Sequence, residues 1–221
     1  MSLLELIEPT IPVLKINDTV EDALRIMSET HFDKLPLVKG LEYITILKET
    51  ELMDWDYPNA LLEDFAHGKT FRPCCVVSAH PFDAVSTALR FKLAVVPVLN
   101  EKMEYVGSIS RETLFYFLGE NEGMQEYGGI IVLQMKAGDF VLSQIAKIAE
   151  NEDVIILNSR VFNNVNTGMI EVTLKTNKIE LDRLVAAYER YEYDVKEAYG
   201  DIPSQDDTEQ RYRQLMNYLN M

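Results

Sequence analysis

Two stretches near the start of the chain share one alternation of apolar and polar positions. Val20, Ala23, Leu24 and Met27 fall at i, i+3, i+4 and i+7, as do Pro81, Ala84, Val85 and Ala88. Each set marks one face of a helix. Thr19-Val20-Glu21-Asp22 has the hydroxyl-then-acid form of a helix start, and His80-Pro81-Phe82-Asp83 puts proline first and an acid in the first turn. Two short apolar runs follow each helix, at 35–38 and 43–47 and again at 94–99 and 105–109, with Lys39-Gly40 and Asn100-Glu101 as turns. Closing helices are expected over 49–55 and 111–118.

These stretches are one unit repeated at a spacing of 61 residues. Asp22-Ala23-Leu24 falls on Asp83-Ala84-Val85, and Leu35-Pro36-Leu37-Val38 on Val96-Pro97-Val98-Leu99. After one inserted residue, Glu42-Tyr43-Ile44 falls on Glu104-Tyr105-Val106. A βαββα unit repeated twice resembles a pair of CBS (cystathionine β-synthase) domains. The capped Asp-Ala-Leu helix start and the apolar-Pro-apolar-apolar strand carry the resemblance. Tyr105-Val106-Gly107-Ser108-Ile109-Ser110 adds the family's glycine-containing strand end. The repeats are expected at 1–62 and 63–122.

The resemblance implies clefts between the repeats that bind adenosine nucleotides. The family reads them with Thr/Ser-x-x-Asp where the last strand meets the last helix. Here the positions are Lys48-Glu49-Thr50-Glu51 and Ser110-Arg111-Glu112-Thr113, so the first lacks the hydroxyl and the second the carboxylate. Carried over, Glu51 would read a ribose and Lys48 meet a phosphate in the first cleft, the better candidate. Ser110, Arg111 and Thr113 would line the second. Each motif also has a structural reading, Ser110 as an N-cap and Glu51 as an acid in a first turn.

A different order of elements begins after residue 122. Strands are expected at 130–135, 154–157, 169–174 and 194–199, with an Asn-rich link over 163–168. Leu142, Ile145, Ala146 and Ala149 mark one helix, and Leu181, Leu184, Val185 and Tyr188 another over 179–191. This βαββαβ order is ferredoxin-like and resembles an ACT domain over 128–200. That resemblance implies an amino-acid effector at the turn holding Gly138, with Asp139 as a plausible helix cap. Ala137 and Met135 stand where the family usually has Pro and Asp. A linker and short helix close the chain over 201–221, with Tyr212, Leu215, Met216 and Leu219 on one stripe.

The expected fold class is therefore α+β, a CBS pair followed by a ferredoxin-like, ACT-like domain and a short C-terminal helix. This architecture resembles the acetoin-utilisation accessory proteins.

Charge narrows the partners. With 21 basic and 36 acidic residues the net charge is −15, which opposes nucleic acid and anionic membrane surfaces. No apolar run reaches the roughly 20 residues of a membrane helix. Cys74 and Cys75 are adjacent, which suits two buried thiols in a strand rather than a disulfide framework. His31, His67 and His80 lack metal-ligand spacing, and no nucleotide-loop or hydrolase motif is present. The expectation is a cytoplasmic, non-catalytic protein without a cofactor or metal, a homodimer through its CBS and ACT-like modules. It would sense a small molecule (AMP-like, S-adenosylmethionine or an amino acid) or, alternatively, act as an adaptor recruiting a protein partner through empty clefts.

Overall fold

The computed structural model describes residues 2–121, 123, 125–165 and 167–200. The chain divides into two compact units, Met1–Leu118 and Gly119–Met221. The expected helix over the last residues lies outside the described residues.

The first unit opens with a 3-10 turn, Leu3–Leu6, followed by β1 (Leu14–Lys15), α1 (Val20–Thr30), β2 (Lys34–Lys39), β3 (Glu42–Lys48) and α2 (Glu49–Met53). A short helix, α3 (Leu62–Ala66), precedes the second copy: β4 (Cys75–Val76), α4 (Pro81–Phe91), β5 (Val95–Leu99), β6 (Tyr105–Ser110) and α5 (Arg111–Asn121). In each copy the first strand pairs parallel to the second and the second antiparallel to the third.

The helix starts follow from the capping residues. The Thr19 hydroxyl accepts from the Asp22 N–H at 3.1 Å. His80 Nδ1 accepts from the Phe82 N–H at 3.1 Å, while Asp83 accepts from the His80 N–H. Both helices end on a left-handed residue, His31 and Lys92.

Each copy has its own core, and each borrows from the other. Val95 packs with the first copy's cluster, and Ile46 with the second's. Leu3 and Leu6 are buried in the second copy's cluster although they begin the chain. Leu62, Phe65 and Ala66 of α3 join the first copy's cluster.

Two details differ from expectation. The first closing helix stops at Met53 rather than running to residue 55. Only Cys75 is a buried strand thiol; β4 spans two residues, which leaves Cys74 half-buried before the ladder.

The second unit runs β7 (Ile130–Lys136), α6 (Leu142–Asn151), β8 (Ile156–Asn164), β9 (Met169–Thr176), α7 (Asp182–Arg190) and β10 (Asp194–Tyr199). Its sheet has the order β10-β7-β9-β8. Ile131, Leu133, Val172 and Leu174 point from the sheet into a core closed by Ile145, Leu184 and Tyr188 of the helices. The Tyr188 hydroxyl donates to the Ile145 carbonyl at 3.1 Å and ties the two helices.

The Asn-rich stretch is not a link at its start. β8 extends through Asn164 because its backbone pairs with β9 from Ile156↔Thr176 to Asn164↔Met169. An edge strand can satisfy a ladder without an apolar face. The expected helix over 179–191 is shorter, since Leu181 is already its N-cap. Among the described residues no helix is long and apolar enough to cross a membrane.

Candidate functional site

The two motif positions lie at the starts of the closing helices. Lys48 ends β3 and is the N-cap of α2, but its side chain makes no capping bond. Its Nζ lies instead 2.8 Å from Glu51 Oε1. Lys69, from the segment that leads into β4, donates to the other oxygen, Oε2, at 2.7 Å. Lys69 also sits 4.5 Å from the centre of the Phe65 ring, within cation–π range. Burial works to raise the Glu51 pKa, but the two ammonium partners more than offset this and hold it below the ordinary value. The start of α2 therefore presents an ionised carboxylate flanked by two cations.

The start of α5 is built differently. The Ser110 hydroxyl accepts from the Thr113 N–H at 3.0 Å and so caps α5, as the structural reading required. Its backbone N–H donates to Glu8 Oε1 at 2.9 Å. Burial works to raise the Glu8 pKa, but the Thr113 and Ser110 hydroxyls beside the carboxylate and the Ser110 N–H hold it below the ordinary value.

The segment carrying Glu8 is held from both sides. The Glu8 N–H donates to the Ser108 carbonyl at 2.9 Å. A Cβ on Gly107 would lie 2.4 Å from Ile7 Cγ2, so the strand-end glycine is where the N-terminal segment presses onto β6. Nothing in the local pattern of Glu8 announces this role. The signal available was the repeat itself, because Glu8 and Lys69 lie 61 residues apart, in register.

Beside Glu8 is a cavity of about 430 Å³, lined also by His31, Phe32, Ser110, Arg111 and Phe115. It combines two aromatic side chains with Arg111 and two carboxylates, Glu8 and Glu112. Arg111, the first residue of α5, is exposed at this opening.

In the second unit, Gly138 and Asp139 lie in a 3-10 turn, Ala137–Asp139, between β7 and α6. Asp139 does not cap the helix. Phe140 packs against the core and the chain stays extended through Val141, so α6 starts at Leu142 with Val141 as its N-cap. A Cβ on Gly138 would meet nothing within 4 Å. The glycines that the fold requires are others. Gly128 has φ +145°, and a Cβ there would lie 1.7 Å from the Thr176 carbonyl oxygen. A cavity of about 400 Å³ runs along α6, and neither Gly138 nor Asp139 lines it.

Among the described residues, no group of three or more His, Cys, Asp or Glu is placed to hold a metal ion.

Comparison with known proteins finds a family model that matches part of the chain. The CBS domain model matches residues 5–56. Inosine-5'-monophosphate dehydrogenase of Korarchaeum cryptofilum (strain OPF8) is 23% identical over 150 residues, which cover 67% of this chain and 31% of that protein. The chain thus spans about a third of the length of that relative. A CBS domain pair/ACT domain protein from Thermotoga maritima superposes with a TM-score of 0.50 at 16% identity, covering 54% of this chain and 98% of that one. This likeness is one of fold. CBSX2, solved in complex with AMP, gives a TM-score of 0.46 at 18% identity and covers 54% of this chain and 96% of that one.

Proposed function

We propose that the chain is a non-catalytic regulatory protein that binds an adenosyl phosphate in its first cleft. The observation that carries this reading is Glu51, an ionised carboxylate at the start of α2, held between Lys48 and Lys69 within a stretch matched by the CBS family. A carboxylate there accepts bonds from two ribose hydroxyls, and the flanking ammonium groups meet a phosphate. The net charge of −15 opposes di- and triphosphates, so AMP is the ligand to try first.

The second unit is read as an ACT-like, ferredoxin-like module. Its βαββαβ order and its sheet order, with β7 and β9 central, support that reading. Its effector would be an amino acid at the turn holding Gly138 and Asp139, where backbone N–H groups suit a carboxylate.

The alternative reading, an adaptor that recruits a protein partner, has one observation in its favour. Phe82, Leu89 and Phe115 on α4 and α5 are 51%, 74% and 68% exposed. Large exposed apolar groups gathered on one surface mark contact sites.

Thermal shift against AMP, S-adenosylmethionine and the amino acids decides between sensing and adapting. An AMP-induced rise that Glu51→Ala abolishes is the expected result. No shift with any of these ligands at millimolar concentration would remove the sensing reading, and turnover of one of them would remove the non-catalytic one.

A further inference from the structure

We infer that Trp55 and Tyr57, with Asp54 and Asp56 beside them, form a docking surface for an arginine-bearing segment of a partner protein. The surface lies on the stretch between α2 and α3 and stands independently of any ligand at Glu51.

The two rings are exposed yet held. Trp55 is 36% and Tyr57 66% exposed. Trp55 meets the buried Phe65 ring of α3 at 88° with centroids 5.0 Å apart, and Tyr57 meets Trp55 at 67° and 6.0 Å. The backbone behind them is pinned as well. The Trp55 N–H donates to the Leu52 carbonyl, and the Glu21 and Val20 N–H groups at the start of α1 donate to the carbonyls of Pro58 and Ala60. Side chains fixed in this way lose little freedom when a partner arrives. Aromatic anchors of this kind supply most of the binding energy of protein interfaces.

Charge selects the partner. Asp54 and Asp56 are exposed, and the stretch 49–68 contains no Lys or Arg. The lysines that bracket it, Lys48 and Lys69, are both committed to Glu51. Among the described residues, neither Asp54 nor Asp56 has an ion-pair partner. A second copy of the chain would bring the same carboxylates and the same net charge of −15, so like charge opposes self-pairing here.

The neighbouring cluster shows what such a combination holds. Lys69 Nζ lies 4.5 Å from the centre of the Phe65 ring and 2.7 Å from Glu51 Oε2, between an aromatic ring and a carboxylate. Trp55 and Tyr57 with Asp54 and Asp56 offer the same two kinds of group to a cation from outside. A guanidinium fits best, because its plane stacks on an aromatic face while its N–H fork pairs with a carboxylate.

Titration of an Arg-Gly-Ser repeat peptide into the full chain tests the inference, read by the fluorescence of Trp55, the chain's only tryptophan. The signal should change and saturate, and a Gln-Gly-Ser peptide should leave it unchanged. Tyr57→Ala and the double variant Asp54→Asn/Asp56→Asn should each weaken the arginine peptide about tenfold. Glu180→Gln/Glu189→Gln removes equal charge from the second unit and should leave the affinity as it is. If Tyr57→Ala gives no cooperative melt, the aspartate variant decides alone. No saturable change at millimolar peptide would overturn the inference, as would unchanged affinity in the aspartate variant or an equal loss in the second-unit variant. A Trp55 signal that follows chain concentration without peptide would also overturn it, by giving the surface to a second copy.

Discussion

Glu8 and Lys69 stand at equivalent places in the two repeats, and each reaches the first turn of a closing helix with a charge opposite to the other's. Lys69 meets Glu51, and Glu8 meets the Ser110 N–H. The two helix starts are therefore related by sequence and opposed in electrostatics.

Acid should release both contacts. The folded-state pKa values of Glu8 and Glu51 are below their ordinary ones. The stability they contribute is present above the unfolded value of about 4.3 and is lost as pH falls through their folded values. His31, Arg111 and Glu112 line the same cavity as Glu8, and Lys48 and Lys69 face Glu51. Glu8→Gln should cost about 1 kcal/mol at pH 7, toward the low end for a bond to a charged group that is partly solvated. Thermal melts of parent and variant should converge as pH falls below the ordinary carboxylate range; a constant gap would disprove the linkage.

Gly107 and Ile7 should behave as a coupled pair. Gly107→Ala forces a Cβ to within 2.4 Å of Ile7 Cγ2, and overpacking of this kind costs about 1–3 kcal/mol. Ile7→Ala in the same chain should recover part of that loss. A double-mutant cycle by urea unfolding reads the coupling, and strict additivity would mean that the two do not press on each other.

The N-terminal turn should count as core of the second repeat. Leu3→Ala removes a side chain that is 0% exposed, with an expected loss of about 2–5 kcal/mol in denaturant unfolding. A loss under about 0.5 kcal/mol would show the turn to be merely laid on the surface.

Two glycines of the second unit should respond oppositely to alanine. Gly128→Ala sets a Cβ against the Thr176 carbonyl at a positive φ and should cost several kcal/mol. Gly138→Ala meets open space and should stay within about 0.5 kcal/mol. Comparable losses at both would contradict the packing described.

Self-association should run through α4 and α5. Adjoining cavities of about 630 and 440 Å³ lie along them, sharing Val85, Leu89 and Leu118. Sedimentation should give twice the chain mass of 25.3 kDa, and Leu89→Glu should shift the equilibrium toward monomer. A dimer unaffected by Leu89→Glu would place the interface elsewhere.

The sequence by itself determined the repeat, the helix faces of α1 and α4, their capped starts, the proline-bearing strands and the strand–helix order of the second unit. These are local signals. A hydroxyl three residues before a free N–H, or an apolar side chain every third or fourth position, acts within a turn or two of chain. Ser110 was legible as a cap for that reason. Only the tertiary structure decided what meets Ser110, because its N–H is bonded by a carboxylate 102 residues away. The same holds for Gly128, whose need for a missing Cβ is set by a carbonyl at Thr176, and for Asp139, displaced from the helix start by the packing of Phe140. β8 was underestimated because an edge strand is held by its backbone ladder, which leaves its side chains free of the alternation that would announce it. Periodicity records what a residue does for its own element; Lys69 and Glu8 each arrive from a distant segment at another element's end, and no local pattern encodes that meeting.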